Sequence, residues 1–232
     1  MKNIFKIFMI QLVLLGCSKY QSDSNSSSQN SLQISGCSLA SPELRNPDTY
    51  DGLVQLINAL PKPLSVECLL NNYDAPLKIN ATNSTFSAQP SEGPGNPRIF
   101  IIKNNFILSI VPTNRTQTVI EFAYVNASNS SIKGELSFPI NSNISNEEPF
   151  LEILSTFNGT TGTDCRFCHG AEISAGGSSY SSSIIAPDPF KNVTATSMKQ
   201  QLAACNFLLE PQRCRVIQSI YGRSVQEINW PF

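Results

Sequence analysis

Four apolar runs with the period of strands, gathered between residues 98 and 138, constrain the fold of this chain more than any other feature. Arg98-Ile99-Phe100-Ile101-Ile102-Lys103 and Phe106-Ile107-Leu108-Ser109-Ile110-Val111 flank Asn104-Asn105. Asparagine tolerates the positive φ that a two-residue hairpin turn demands. Residues 118–125 and 131–138 continue the series across polar turns, so an antiparallel meander or small sandwich is expected. Upstream, Leu53, Leu56, Ile57 and Leu60 recur at helical spacing, and Pro61 stops the run. This short amphipathic helix is expected to cover the sheet.

Past residues 141–146, a stretch of Asn, Ser and Ile, the strand period fades. Residues 149–157 read as a helix with Pro149 in its first turn. Residues 196–205 read as another, capped by Thr196 or Ser197, and Pro211 opens a third that runs to Gly222. The expected class is α+β. An antiparallel β-rich part over residues 37–145 precedes a small helical region over residues 146–232.

The start of the chain reads as a targeting segment. Lys2 and Lys6 precede the apolar residues 7–15, a stretch too short for a permanent membrane span. Leu14-Leu15-Gly16-Cys17 resembles the lipobox of bacterial lipoproteins. That resemblance implies residues 1–16 as a signal peptide, cleavage before Cys17, and a diacylglycerol anchor on its sulfur with further acylation such as palmitate. Each buried CH₂ of such chains contributes about 0.8 kcal/mol, so several chains hold a protein durably on a membrane. Ser18 follows the cysteine where enteric lipoproteins kept at the inner membrane carry Asp. By the same resemblance, the expected location is the outer membrane of the cell envelope, facing the periplasm or the surface. Residues 17–36 are dominated by Ser, Asn and Gln and bury too little apolar surface to fold, so they read as a flexible tether.

Cys165-Arg166-Phe167-Cys168-His169 is the chemical motif of the folded part, and His169 is the sole histidine of the chain. C-x-x-C-H resembles the attachment site of c-type cytochromes, and the likeness covers roughly residues 148–232. It implies one covalent haem c, thioether bonds from Cys165 and Cys168, and His169 as the proximal iron ligand. Met198, the one methionine after the expected signal peptide, is the candidate distal ligand. The same residue shares a helix face with Leu202 and Cys205, so core packing is its competing use. Without Met198, the iron would be five-coordinate or would take a weak ligand such as water or Lys199. The family also implies a proline carbonyl, here that of Pro187, accepting from the second nitrogen of His169. Phe167, Tyr180, Ile184, Ile185, Phe190, Leu202 and Phe207 are candidates for the apolar wall. With two cysteines given to haem, the nearest neighbours Cys37–Cys68 and Cys205–Cys214 are the expected disulfides of an oxidising compartment. Three other uses of the motif stay open: a redox thiol pair, a zinc site shared with Cys205 or Cys214, and a plain disulfide between Cys165 and Cys168.

Charged residues are only 14% of the chain and the net charge is -1, which excludes the basic footprint of a nucleic-acid binder. No P-loop, GxSxG or HExxH motif occurs, and no histidine remains as a general base once His169 binds iron. The expected role is therefore an electron carrier rather than a catalyst, acting with a redox protein partner that the sequence does not identify. A reading from another class is a disulfide-stapled envelope lipoprotein that serves as a binding or structural module.

Overall fold

The computed structural model describes residues 36–87, 89–126, 129–157 and 162–232. The expected signal peptide 1–16, the expected lipid attachment at Cys17 and all of the expected tether except Gly36 lie outside the described residues.

The anticipated hairpin is present. Strands β2 (Arg98–Lys103) and β3 (Phe106–Ile110) pair antiparallel around Asn104, whose φ is 50°. β4 (Thr118–Val125) and β5 (Ser130–Phe138) extend the meander, and β1 (Leu77–Thr82) pairs with the other side of β2. Among the described residues the sheet has eight strands. Its edges come from late in the chain: β6 (Ile173–Gly176) and β7 (Ser179–Ser183) add beside β5, while β8 (Val225–Glu227) pairs parallel with β1. Every other pairing is antiparallel.

The architecture is thus mixed α+β, and strands from both sides of residue 145 share one sheet. The region expected to be helical contains a hairpin and an edge strand as well as helices. Its strand Ser179-Tyr180-Ser181-Ser182-Ser183 carries no apolar alternation for a sequence reading to detect. Polar contacts hold it instead: Ser181 Oγ donates to Ser130 Oγ at 3.0 Å and Lys133 Nζ donates to Ser182 Oγ at 2.7 Å.

Successive strand residues point to opposite faces. One face carries Ile79, Ile99, Ile101, Phe106, Leu108, Ile120, Phe122 and Leu136 into the main core. Helices α1 (Tyr50–Ala59), α2 (Val66–Leu70), α5 (Ala195–Ala203) and α6 (Pro211–Tyr221) contribute to that core. Thr49 caps α1 by accepting from Gly52 N, and Leu53, Leu56 and Ile57 are buried as their spacing predicts. α5 begins one residue before the expected Thr196, because Thr194 supplies the cap and accepts from Ser197 N.

The opposite face carries a smaller cluster of Phe100, Ile102, Ile107 and Val125, packed by Ile184, Ile228, Trp230 and Phe232. Helix α3 (Glu148–Ser155) packs along β5. Gly134 on β5 is needed there, since a Cβ at this position would lie 2.8 Å from the Pro149 carbonyl oxygen and 2.9 Å from the Tyr50 ring.

Both expected disulfides are present, Cys37–Cys68 and Cys205–Cys214. The first joins the start of the described chain to α2, and the second ties the end of α5 to α6 across a separation of 9 residues. Closing a loop of that length removes roughly 2–3 kcal/mol of unfolded-state entropy. Replacing Cys205 and Cys214 together by alanine is expected to lower stability by about that amount. A denaturant midpoint measured against the parent checks this.

Candidate functional site

The motif Cys165-Arg166-Phe167-Cys168-His169 sits on a single helical turn, α4 (Arg166–His169). Gly170, with φ 77°, ends the turn in a conformation that L side chains rarely adopt. The turn is held by a clamp absent from the sequence reading. Glu172 accepts from the backbone N and from the hydroxyl of buried Thr163, closing the segment on either side of α4. Thr163 Oγ1 in turn accepts from Cys165 N at 3.3 Å.

Cys165 and Cys168 carry free thiols and are half-buried. Burial, opposed by a hydrogen bond with Thr163 and the nearby Lys133 ammonium, pushes the Cys165 thiol up to about 11. That is the reverse of what an attacking thiolate requires, and α4 does not follow a strand of a βαβ unit, so the redox-pair use loses its support. Cys205 and Cys214 are bonded to each other and cannot join Cys165 and Cys168 around zinc. Among the described residues no three His, Cys, Asp or Glu side chains converge as metal ligands.

His169 Nδ1 lies 2.9 Å from the Ser183 carbonyl oxygen. Burial, reinforced by the Lys133 ammonium, holds the imidazole down to about 4, so it is neutral at physiological pH. A neutral ring facing a carbonyl must carry its proton on Nδ1, which leaves the Nε2 lone pair for a metal. The carbonyl partner is that of Ser183 on β7, and this corrects the expectation of Pro187. The edge strand delivers a carbonyl to α4 that only the sheet pairing brings there. Lys133 on β5 stands beside the same group: Nζ donates to Ser131 Oγ at 2.9 Å and to Ser182 Oγ at 2.7 Å, and lies 3.5 Å from the Ser183 carbonyl. Burial brings this ammonium down to about 8.

Cys165, Cys168 and His169 line a cavity of about 410 Å³ between α4 and the second face of the sheet. Volumes of a few hundred Å³ are typical of sites for small molecules and cofactors. Phe100, Ile107, Ala123, Ile184 and Trp230 give it an apolar side. Arg98, Glu121, Lys133 and Glu135 give it a charged floor. Arg98 is ion-paired with Glu121, bonds Ser87, and donates to Ser109 Oγ at 2.9 Å. Ile185 and Pro187 also line the cavity, as does Phe86, which the sequence offered no reason to select.

Met198 is not brought to this site. It is fully buried, 0% exposed, in the main core, and it does not line the cavity. Leu202, on the same helix face, packs against that core too. The spacing that made Met198 ambiguous therefore reports packing. Of the expected wall, Phe167 is 78% and Phe190 97% exposed, and Tyr180 stacks on Phe157 with ring centroids 5.5 Å apart.

No family model matches the chain, no curated protein matches its sequence, and no solved structure matches its fold. No described helix is long and apolar enough to cross a membrane.

The charged floor has a pH dependence of its own. Glu121 and Glu135 face each other across β4 and β5, where like charges repel. Burial, then Glu121 and Glu152, raise the Glu135 carboxyl to about 7, against the pull of Arg98. A carboxyl raised in the folded state contributes stability below its unfolded pKa and loses it as pH rises through the folded one. Wild-type stability is thus expected to fall between pH 5 and 8 relative to Glu135→Gln. At pH 8 the variant should melt roughly 2–4 °C higher, equivalent to about 1 kcal/mol. Melting curves across that range test the sign.

Proposed function

We propose that this chain is a lipid-anchored c-type haem protein of the bacterial envelope that passes single electrons to or from a redox protein partner. Lipid on Cys17 would hold it at the membrane, in the outer membrane by the Ser18 criterion, and residues 17–36 would keep the folded part clear of the surface.

One observation carries the reading. Of the six cysteines in the described residues, four are paired with each other, while Cys165 and Cys168 keep their thiols beside an imidazole whose Nδ1 is committed to a backbone carbonyl. Metal-binding histidines are commonly oriented by such a contact, which fixes the tautomer and raises the basicity of the other nitrogen. A disulfide-stapled binding module accounts for the two cystines but gives no use to this arrangement.

The residues present fit a covalently held haem. Bound there, its iron supplies a one-electron ferric–ferrous couple. The thiols of Cys165 and Cys168 fasten the group, and Ser183 sets the ring orientation of His169. Phe100, Ile107 and Trp230 keep water from the cavity's apolar side, and the Lys133 ammonium disfavours added positive charge on the imidazole.

Protein produced in a host competent for cytochrome c maturation, then extracted with acid–acetone, is expected to retain a pyridine haemochrome band of the c type. A colourless matured protein overturns the reading.

A further inference from the structure

We propose that the site leaves the iron face opposite His169 without a strong protein ligand, so that the protein binds a small neutral diatomic molecule there. This inference rests on the haem reading above and deepens it by naming a ligand class.

A low-spin, closed haem needs a second strong donor, ordinarily a nitrogen or a thioether. The chain has one histidine, and after residue 35 its one methionine is Met198. Met198 is fully buried in the main core, in the cluster that also holds Val216, Ile217 and Ile220, and is not part of the cavity wall. Reaching the cavity would empty a fully buried core position.

Amines are the next donors. Lys133 lines the cavity, but its ammonium is held by Ser131 and Ser182 and approaches the Ser183 carbonyl, the group that His169 meets through Nδ1. Those contacts gather Lys133 at the carbonyl met by Nδ1, with its ammonium already engaged by oxygen acceptors. Lys199 is exposed on α5 and does not line the cavity. Cys205 and Cys214 are consumed by their disulfide.

Oxygen donors remain. Glu121 is engaged by Arg98, while Glu135, Asp164 and Asp188 also line the cavity. Carboxylate oxygens are weak-field ligands that leave iron high-spin and exchange readily, so none of them closes the site. On its apolar side the cavity is walled by Phe100, Ile107, Ala123, Ile184 and Trp230, where a small neutral ligand incurs no cost of burying charge. Polarity and access on that side of a haem decide between ligand binding and pure electron transfer.

The test uses wild-type, full-length protein whose covalent haem has first been verified by pyridine haemochrome. It is reduced anaerobically with dithionite and titrated with carbon monoxide. The expected result is a high-spin ferrous spectrum with one broad visible band, converted by the gas to a sharpened, shifted Soret band. Sharp, split α and β bands before addition, with no change at gas saturation, overturn this inference and leave the haem reading intact. A matured protein without covalent haem overturns both. Met198→Leu is expected to keep the parent's spectrum, and a change of spin state in that variant would assign Met198 as a ligand and overturn the proposal.

Discussion

Protein carrying Cys165→Ala and Cys168→Ala is expected to leave a cytochrome-maturing host with no covalent haem, an all-or-none loss, while its far-ultraviolet circular dichroism matches that of the parent's apo form. The first half follows from the chemistry of attachment, because thioether bonds need sulfur at both positions. The second follows from packing. Neither cysteine belongs to the main core or to the smaller cluster on the opposite face, and neither forms a disulfide. The Thr163–Glu172 clamp, which acts through a hydroxyl, a backbone amide and a carboxylate, does not need either thiol. Retention of acid–acetone-resistant haem by the double variant would show that the group is fastened elsewhere. A collapse of the dichroism would show that the thiols are structural.

Phe106→Ala is expected to be the most damaging single truncation of the sheet, costing about 3–5 kcal/mol. Phe106 is 0% exposed. Its ring stacks against Phe122 with centroids 5.9 Å apart and meets the Tyr50 ring edge-on at 5.2 Å. Tyr50 in turn donates toward the Phe122 and Ile132 carbonyl oxygens, each at 3.0 Å, and packs on Phe150 of α3. Removing the Phe106 ring leaves a void beneath a tyrosine whose hydroxyl is fixed in place, so the surroundings cannot easily collapse to fill it. Urea denaturation compares the two proteins, and a difference below about 1 kcal/mol would mean that the cluster relaxes around the gap.

Much of the frame was legible from residue pattern. Asn104-Asn105 between alternating runs marks a hairpin because few residues accept the turn's backbone angles, and the turn is where expected. The spacing of Leu53, Leu56 and Ile57 marks a buried helix face because helical periodicity and burial are the same fact seen twice. β7 was not legible, since a serine-rich strand has no apolar alternation and exists through pairing to β5 and hydroxyl contacts, and the four-residue β6 pairs only with β7. Met198 shows the opposite limit. Its spacing with Leu202 was visible, yet spacing cannot tell a methionine that fills a core from one that reaches a metal.

The chain's order alone determined which atoms stand next to one another covalently: two thiols two residues apart, an imidazole directly after them, and four further cysteines whose neighbours in sequence became their partners. Tertiary structure alone decided what surrounds that motif. The Ser183 carbonyl, the Lys133 ammonium and the exclusion of Met198 all depend on β5 pairing with β7 and on which face of the sheet each helix covers. Those are contacts between segments far apart in the chain, and the free energy that selects them belongs to burial and hydrogen bonding summed over the whole sheet, which no local stretch of residues contains.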